Sequence, residues 1–137
     1  MATYNHSYLC FEISTQIIKT TEFKPLPELS LAIGNGIKPD ISVYAKNDVP
    51  PPNFLQDITR YEKMPILAIE IISPSQNIQD LLEKADLLIE NGVKNVWTVE
   101  PFTNTVFVTN ESGVKRFHKS VVENDGIKVD FAAIFNS

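Results

Sequence analysis

The sequence has little cysteine and no long apolar run, and each shortage excludes a class of protein. Cys10 is the only cysteine in 137 residues, so no disulfide can form within the chain, and no paired Cys and His spacing indicates a zinc site. The longest nearly apolar run, residues 65–72, is far shorter than a membrane span. The first 20 residues lack a basic segment followed by an apolar core, so we expect a soluble, cytoplasmic protein with no membrane contact.

Basic residues are also in the minority. Lys and Arg number 12 against 17 Asp and Glu, a net charge of −5, whereas dedicated nucleic-acid binders usually carry a basic excess. A metal-dependent nuclease, however, gathers carboxylates that count as negative until the cation binds. The net charge therefore argues mildly against a DNA partner but does not exclude one.

Apolar residues are plentiful enough, at 43%, to build the core of one domain, which we expect to span residues 1–137. Residues 4–19 predict an amphipathic helix. Its apolar side consists of Tyr4, Tyr8, Phe11 and Ile18, widened by Leu9, Ile13 and Ile17. Residues 29–33 and 40–44 flank a Gly-Asn-Gly turn and predict a β-hairpin.

The middle of the chain predicts a strand, helix, strand unit with parallel strand pairing. Residues 65–72 are almost continuously apolar, as expected of a central strand covered on both faces. Apolar residues recur with helical spacing over residues 78–91, and residues 93–99 predict the next strand. Residues 105–109 and 114–117 predict an antiparallel meander, and residues 126–135 a short strand followed by a docked turn. The expected class is α/β, with a mixed central sheet and flanking helices.

Glu70 is the most informative polar residue, because it shares a face of the apolar strand with Ile66, Ala68 and Ile72. A buried carboxylate requires a metal ion, a cation or a network of donors beside it, although an ordinary ion pair at the strand end is a simpler alternative. Asp40 begins the second hairpin strand and alone would be an ordinary turn residue. Together with Glu70 on the neighbouring strand, it forms the minimal oxygen ligand set for Mg²⁺.

Lys84 lies beside the apolar stripe of the predicted helix, one turn from both Leu81 and Leu88. Its ammonium could therefore point back toward the strand of Glu70 and stabilise charge that develops on a phosphate. A surface ion pair with Asp80, four residues earlier, explains Lys84 equally well. The residues alone leave both interpretations open.

Three segments together resemble a known family. They are Pro-Asp at 39–40, PILAIEIISPS at 65–75 and DLLEKADLLIENGVKNVWTVEP at 80–101. In these segments, and over nearly the whole chain from about His6, the sequence is similar to the Uma-two type of restriction endonuclease, within the PD-(D/E)XK superfamily. Leu88, where the family commonly has Tyr, and Glu100, where it commonly has Asp, depart from the pattern.

The resemblance implies a restriction-endonuclease-like core that hydrolyses DNA phosphodiester bonds with Mg²⁺ or Mn²⁺. Asp40 and Glu70 would bind the metal with the carbonyl of Ile71. The superfamily's usual lysine, two residues after the glutamate, is replaced here by Ile72, and the resemblance assigns its role of orienting the attacking water to Lys84. A homodimer would supply the two sites needed to cut both strands of a duplex.

Two other functions stay open. A nuclease fold that has lost activity and serves as a binding or regulatory module is compatible with the acidic charge. An acid/base hydrolase such as a glycosidase would use Asp40 and Glu70 as its pair of carboxylates, although such sites usually lie in larger clefts rich in aromatic residues.

Overall fold

A computed structural model describes residues 3–20 and 22–136. The helices within these ranges are α1 (Tyr4–Thr20), α2 (Ile78–Glu90) and α3 (Phe131–Phe135). The strands are β1 (Phe23–Pro27), β2 (Ile41–Ala45), β3 (Leu67–Ile71), β4 (Asn95–Glu100), β5 (Thr105–Asn110), β6 (Gly113–His118), β7 (Val121–Asn124) and β8 (Ile127–Asp130). None of the described helices is long and apolar enough to cross a membrane.

Six strands form one mixed sheet in the order β1-β2-β3-β4-β5-β6. β3 and β4 pair in parallel through the α2 crossover, and the other neighbours pair antiparallel, as the sequence predicts for the strand, helix, strand unit and the meander. All five residues of β3 are buried, which confirms its central place. The α/β class with a mixed central sheet and flanking helices is therefore confirmed.

The two faces of the sheet pack against different helices. Leu67, Ile69 and Ile71 of β3 join the core cluster that contains the buried side of α1, whereas Ala68 joins the cluster that contains the buried side of α2. This alternation follows from the pleat of the strand, which sends successive side chains to opposite faces. Glu70 shares the parity of Ala68 and so points to the α2 face.

The prediction for the buried side of α1 is wrong in one respect. Leu9, Ile13 and Ile17 are buried against the sheet, whereas Tyr4, Tyr8, Phe11 and Ile18 are exposed. The first set recurs every four residues and forms a stripe that packs on β1, β3 and β8. The second set also forms a stripe, but it lies on another side of the helix.

The predicted hairpin is also displaced. β2 pairs with β1 on one side and with β3 on the other. Residues 29–33 form no strand and contribute isolated bridges from Leu31 to Ile37 and Tyr61. β1 contains Pro25 and Pro27, which weaken the strand pattern in the sequence, but it lies at the edge of the sheet, where proline is tolerated because one side of the strand needs no donors. The Gly-Asn-Gly turn does exist, with Gly34 and Gly36 at positive φ.

The remaining differences are smaller. The apolar side of the helix predicted over residues 78–91 consists of Leu81, Leu82, Ala85, Leu88 and Ile89, all expected to pack on the sheet. Leu81, Ala85 and Leu88 are buried, while Leu82 and Ile89 are only half-buried. The terminal segment forms β8 followed by α3, close to the expected strand and docked turn, but β7, with which β8 pairs, was not predicted.

Candidate active site

Asp40 and Glu70 lie opposite each other where β2 begins and β3 ends. The ladder pairs Ile41 with Ile69, so one step further places Asp40 across from Glu70. The backbone N–H of Asp40 donates to Glu70 Oε1 at 2.8 Å, and the backbone N–H of Ile71 donates to Asp40 Oδ2 at 2.7 Å. Each carboxylate is thus bound to the backbone of the other strand, and the strand register fixes both side chains.

Helix α2 brings Lys84 to this pair. The helix begins at Ile78, and the side chain of its N-cap residue Asn77 accepts a hydrogen bond from Gln79 N–H at 2.8 Å. Lys84 lies about two turns after Asn77, and its ammonium makes a direct ion pair with Glu70 Oε2. Within the described part of the chain the ion pair of Lys84 is with Glu70 and not with Asp80, so the surface pair is not the arrangement adopted.

Helix α1 adds a residue that sequence reasoning missed. His6 Nε2 lies 3.0 Å from Asp40 Oδ2, and His6 Nδ1 lies 3.8 Å from the sulfur of Cys10. His6, Cys10 and Ser14 recur every four residues and all line the same cleft. This stripe of small or polar side chains beside the apolar ones is the sequence signal that could have identified His6.

These residues surround an open cleft of about 640 Å³. Asp40, Glu70, Ile71 and Lys84 all line it. α1 forms one wall, and the ends of β1, β2 and β3 together with α2 form the rest. The other residues of the lining are Ser7, Phe11, Ile18, Pro25, Pro27, Glu28, Lys38, Ile41, Ser73, Gln76 and Leu81. The structure therefore brings the predicted site residues together in one accessible place.

Burial dominates the electrostatics of the cleft. It raises the pKa of Glu70 above its usual range, while the ammonium of Lys84 opposes this shift and the charge of Asp40 adds to it. Burial also raises the pKa of Cys10 to about 12, with smaller contributions from the charges of Asp40, Glu28 and Glu70. The Cys10 thiol therefore stays protonated at neutral pH and is not a nucleophile.

The oxygen donors of the cleft fit a hard divalent cation. Mg²⁺ is commonly held by one or two carboxylates and keeps several waters. Asp40 and Glu70 supply two carboxylates, and the carbonyl of Ile71 faces the same neighbouring strand as its N–H, which donates to Asp40. No group of three or more His, Cys, Asp and Glu residues able to hold a metal occurs in the described ranges. The donor set therefore matches a lightly coordinated Mg²⁺ or Mn²⁺ and not a site enclosed by many side chains.

Three of the four carboxylate oxygens already have protein partners. Glu70 Oε1 accepts from the backbone of Asp40, Glu70 Oε2 pairs with Lys84, and Asp40 Oδ2 contacts both Ile71 N–H and His6. A cation that binds Glu70 must share its oxygens with the Asp40 N–H or with Lys84. The metal-binding and catalytic roles of Asp40, Glu70, Ile71 and Lys84 stay predictions.

Two solved structures superpose on most of this chain. A crystal structure from Anabaena variabilis, described as a "putative nuclease belonging to DUF820", superposes with a TM-score of 0.84 at 21% identity and covers 99% of this chain and 83% of its own. DrdV, determined in complex with DNA, gives a TM-score of 0.52 at 11% identity over 82% of this chain and 10% of its own. At these identities the likeness shows the fold alone.

One sequence family also matches. No match was found among proteins with curated functions. The model of the family Uma2, described as "Putative restriction endonuclease", matches residues 2–131, which is almost the whole chain. The chain therefore belongs to the Uma2 (Uma-two) family.

Proposed function

We propose that this protein is a Mg²⁺- or Mn²⁺-dependent endonuclease that hydrolyses phosphodiester bonds of DNA. The observation that carries the proposal is the buried Glu70 carboxylate, held between the Asp40 backbone and the Lys84 ammonium in an open cleft. A buried carboxylate whose pKa is raised, beside a second carboxylate and a cation, is the type of arrangement that functional sites concentrate.

Asp40, Glu70 and the carbonyl of Ile71 would hold the metal in this cleft. A bound divalent ion lowers the pKa of its water and polarises a phosphoryl oxygen. The hydrogen bonds between the strands keep Asp40 and Glu70 in place, so little reorganisation is needed when the substrate arrives. The protein's own contribution is thus a preformed set of oxygen ligands.

Lys84 supplies positive charge next to these ligands. Its side chain is about one-third exposed, so the ammonium can reach a phosphate in the cleft while its stem packs on α2. There it would orient the attacking water and stabilise the charge that develops on the phosphoryl oxygens. Since Lys84 already contacts Glu70, this role requires only a small displacement.

The comparisons support a nucleic-acid substrate. The family's description is "Putative restriction endonuclease", and the structurally similar DrdV was determined with DNA. Cutting both strands of a duplex at once would require a second active site, which a symmetric homodimer supplies. A monomer would cut one strand at a time.

Calorimetric titration with Mn²⁺ tests the metal site. Wild type should bind with a dissociation constant between micromolar and millimolar, and both Asp40→Asn and Glu70→Ala should abolish binding. Asp48→Asn is a matched control, because Asp48 also pairs with a lysine, Lys63, but lies outside the cleft. Absence of binding in wild type would favour the inactive binding module. Equal binding by all four proteins would show that the metal binds outside this cleft.

A further inference from the structure

Helix α1 carries an apolar stripe that the fold does not bury. Tyr4 is 80% exposed, Tyr8 39%, Phe11 66% and Ile18 60%. Their spacing of four, three and seven residues places them on one side of the helix. Because the sheet is already covered by Leu9, Ile13 and Ile17, these four side chains are surplus to the core.

The exposed stripe is continuous with the candidate active site. Phe11 and Ile18 line the cleft that contains Asp40 and Glu70. The rings of Tyr4 and Tyr8 stack on each other, with centroids 6.2 Å apart and planes inclined by 28°. Both tyrosines precede Phe11 on the helix and lie outside the lining of the cleft. Three aromatic rings thus form a line along α1 that begins at the cleft wall.

Helix α1 itself carries almost no net charge. α1 carries only Glu12 and Lys19 as charged residues besides His6, whereas α2 carries four acidic residues against Lys84 alone. In the cleft, Lys38 is exposed, and no ion pair engages it among the residues that the structure describes. The two lysines of the cleft thus offset part of the charge of Glu28, Asp40 and Glu70, and the exposed aromatic side of α1 adds little charge of its own.

We propose that Tyr4, Tyr8 and Phe11, here called the aromatic track, stack the bases of a single-stranded nucleic acid and guide the strand into the cleft. Exposed aromatic rings bind single strands in this way because every base offers a π-face, whereas the bases of an intact duplex are stacked on each other. Lys38 and Lys84 would contact the phosphates that enter the cleft. The inference rests on the proposed function for the chemistry in the cleft and adds the substrate class.

The exposed stripe is too small to form a stable interface with a second copy of this chain. The 17 residues of α1 extend over about 25 Å, and a stripe about 10 Å wide covers about 250 Å². A stable interface buries about 800 Å² on each partner. Pairing through this face would also cover the cleft at Phe11 and Ile18.

Fluorescence anisotropy with a labelled oligodeoxythymidylate of about 12 nucleotides tests the track. The protein is titrated in EDTA, so binding is measured without cleavage, and an oligouridylate of the same length compares DNA with RNA. Phe11→Ala and Tyr8→Ala should each weaken binding about fivefold to tenfold, and Phe11→Trp should restore it. Phe102→Ala is the matched control, because Phe102 is 93% exposed and lies outside the cleft.

The affinity for a duplex and the salt dependence of binding test the inference further. A blunt duplex should bind about tenfold more weakly than the single strand. With Lys38 and Lys84 as the phosphate contacts, the slope of log K against log salt should lie between about −0.7 and −1.4 on a single strand. A steeper slope together with preference for the duplex would overturn the inference.

Equal affinity of wild type, Phe11→Ala and Tyr8→Ala would also overturn the inference. So would a dimer in light scattering that Phe11→Ala converts to monomer, because a second copy would then occupy the track. If Phe11→Ala and Tyr8→Ala weaken binding but wild type does not cleave with Mn²⁺, the proposed function is refuted and the inference about the aromatic track is not. Unchanged melting temperatures of the variants establish that the exposed substitutions leave the fold intact.

Discussion

The two long helices of this protein differ in how they use their apolar residues. α2 has a single apolar stripe, whose centre, Leu81, Ala85 and Leu88, is buried, and its outer side is acidic. α1 has two stripes, of which the sheet buries one and leaves the aromatic one exposed beside the cleft. A helix that carries more apolar surface than the core needs has surface available for a ligand.

The helices also differ in what they bring to the carboxylates. α2 supplies Lys84 to Glu70, which is buried, and α1 supplies His6 to Asp40, which is partly exposed. The Lys84 ammonium acts on the more deeply buried carboxylate, 6% exposed against 23% for Asp40, and solvent screens a pair less when it is buried. We therefore expect the α2 contribution to dominate the chemistry and the α1 contribution to dominate substrate binding.

The largest expected effect is on cleavage. Lys84→Ala should lower the rate of Mn²⁺-supported cleavage about 100- to 1,000-fold, because it removes charge that stabilises the transition state. His6→Ala should lower it only about tenfold, as expected of a residue that acts through a metal ligand. Lys94→Ala is the control, since Lys94 pairs with Asp125 outside the cleft. Single-turnover rates of the four proteins would contradict the comparison if His6→Ala and Lys84→Ala were equally impaired.

Stability should separate the buried stripes from the exposed one. Leu88→Ala on α2 and Ile13→Ala on α1 remove fully buried side chains and should each cost about 2 to 5 kcal/mol of unfolding free energy. Phe11→Ala, on the exposed stripe, should change it by less than about 0.5 kcal/mol. Urea denaturation measures all three. A loss for Phe11→Ala as large as that for Ile13→Ala would show that the second stripe belongs to the core after all.

The smallest effect concerns pH. Burial raises the folded pKa of Glu70 above its ordinary value of 4.5, so between pH 4.5 and the raised pKa the native state holds a proton that the unfolded chain has released. The unfolding free energy contributed by Glu70 should therefore fall as pH rises through this window. Glu70→Gln should remove that slope when urea denaturation is repeated at several pH values in EDTA. A slope of the same size in both proteins would assign it to other groups.

The sequence predicts the α2 side of the fold better than the α1 side for a physical reason. Over residues 78–91 one apolar stripe has one possible partner, and the continuous apolar strand before it has one place in the sheet. On α1 the periodicity supports two stripes, and only the packing decides which is buried. β1 was missed because Pro25 and Pro27 weaken its strand pattern, and their tolerance depends on the edge position.

The residues of the candidate site also differ in how far the sequence predicted them. Asp40 and Glu70 follow from local patterns, because strand register brings residues of neighbouring strands together. For Lys84 the local pattern allows two directions, toward Glu70 or toward a surface pair with Asp80. His6 could not be placed in the same way, because its contact with Asp40 depends on how α1 docks against the end of β2. The family resemblance supplied the chemistry that local patterns left open.

Cleavage of labelled single-stranded and duplex oligonucleotides by wild type and Asp40→Asn, each with Mn²⁺ and with EDTA, decides whether the cleft is a metal-dependent nuclease site. Asparagine keeps the shape of the side chain and an acceptor for the Ile71 N–H but loses the charge that a cation requires. Products should form with wild type and Mn²⁺ only. Absence of products with wild type, or equal cleavage by Asp40→Asn, would contradict the assignment of this cleft as a metal-dependent nuclease site.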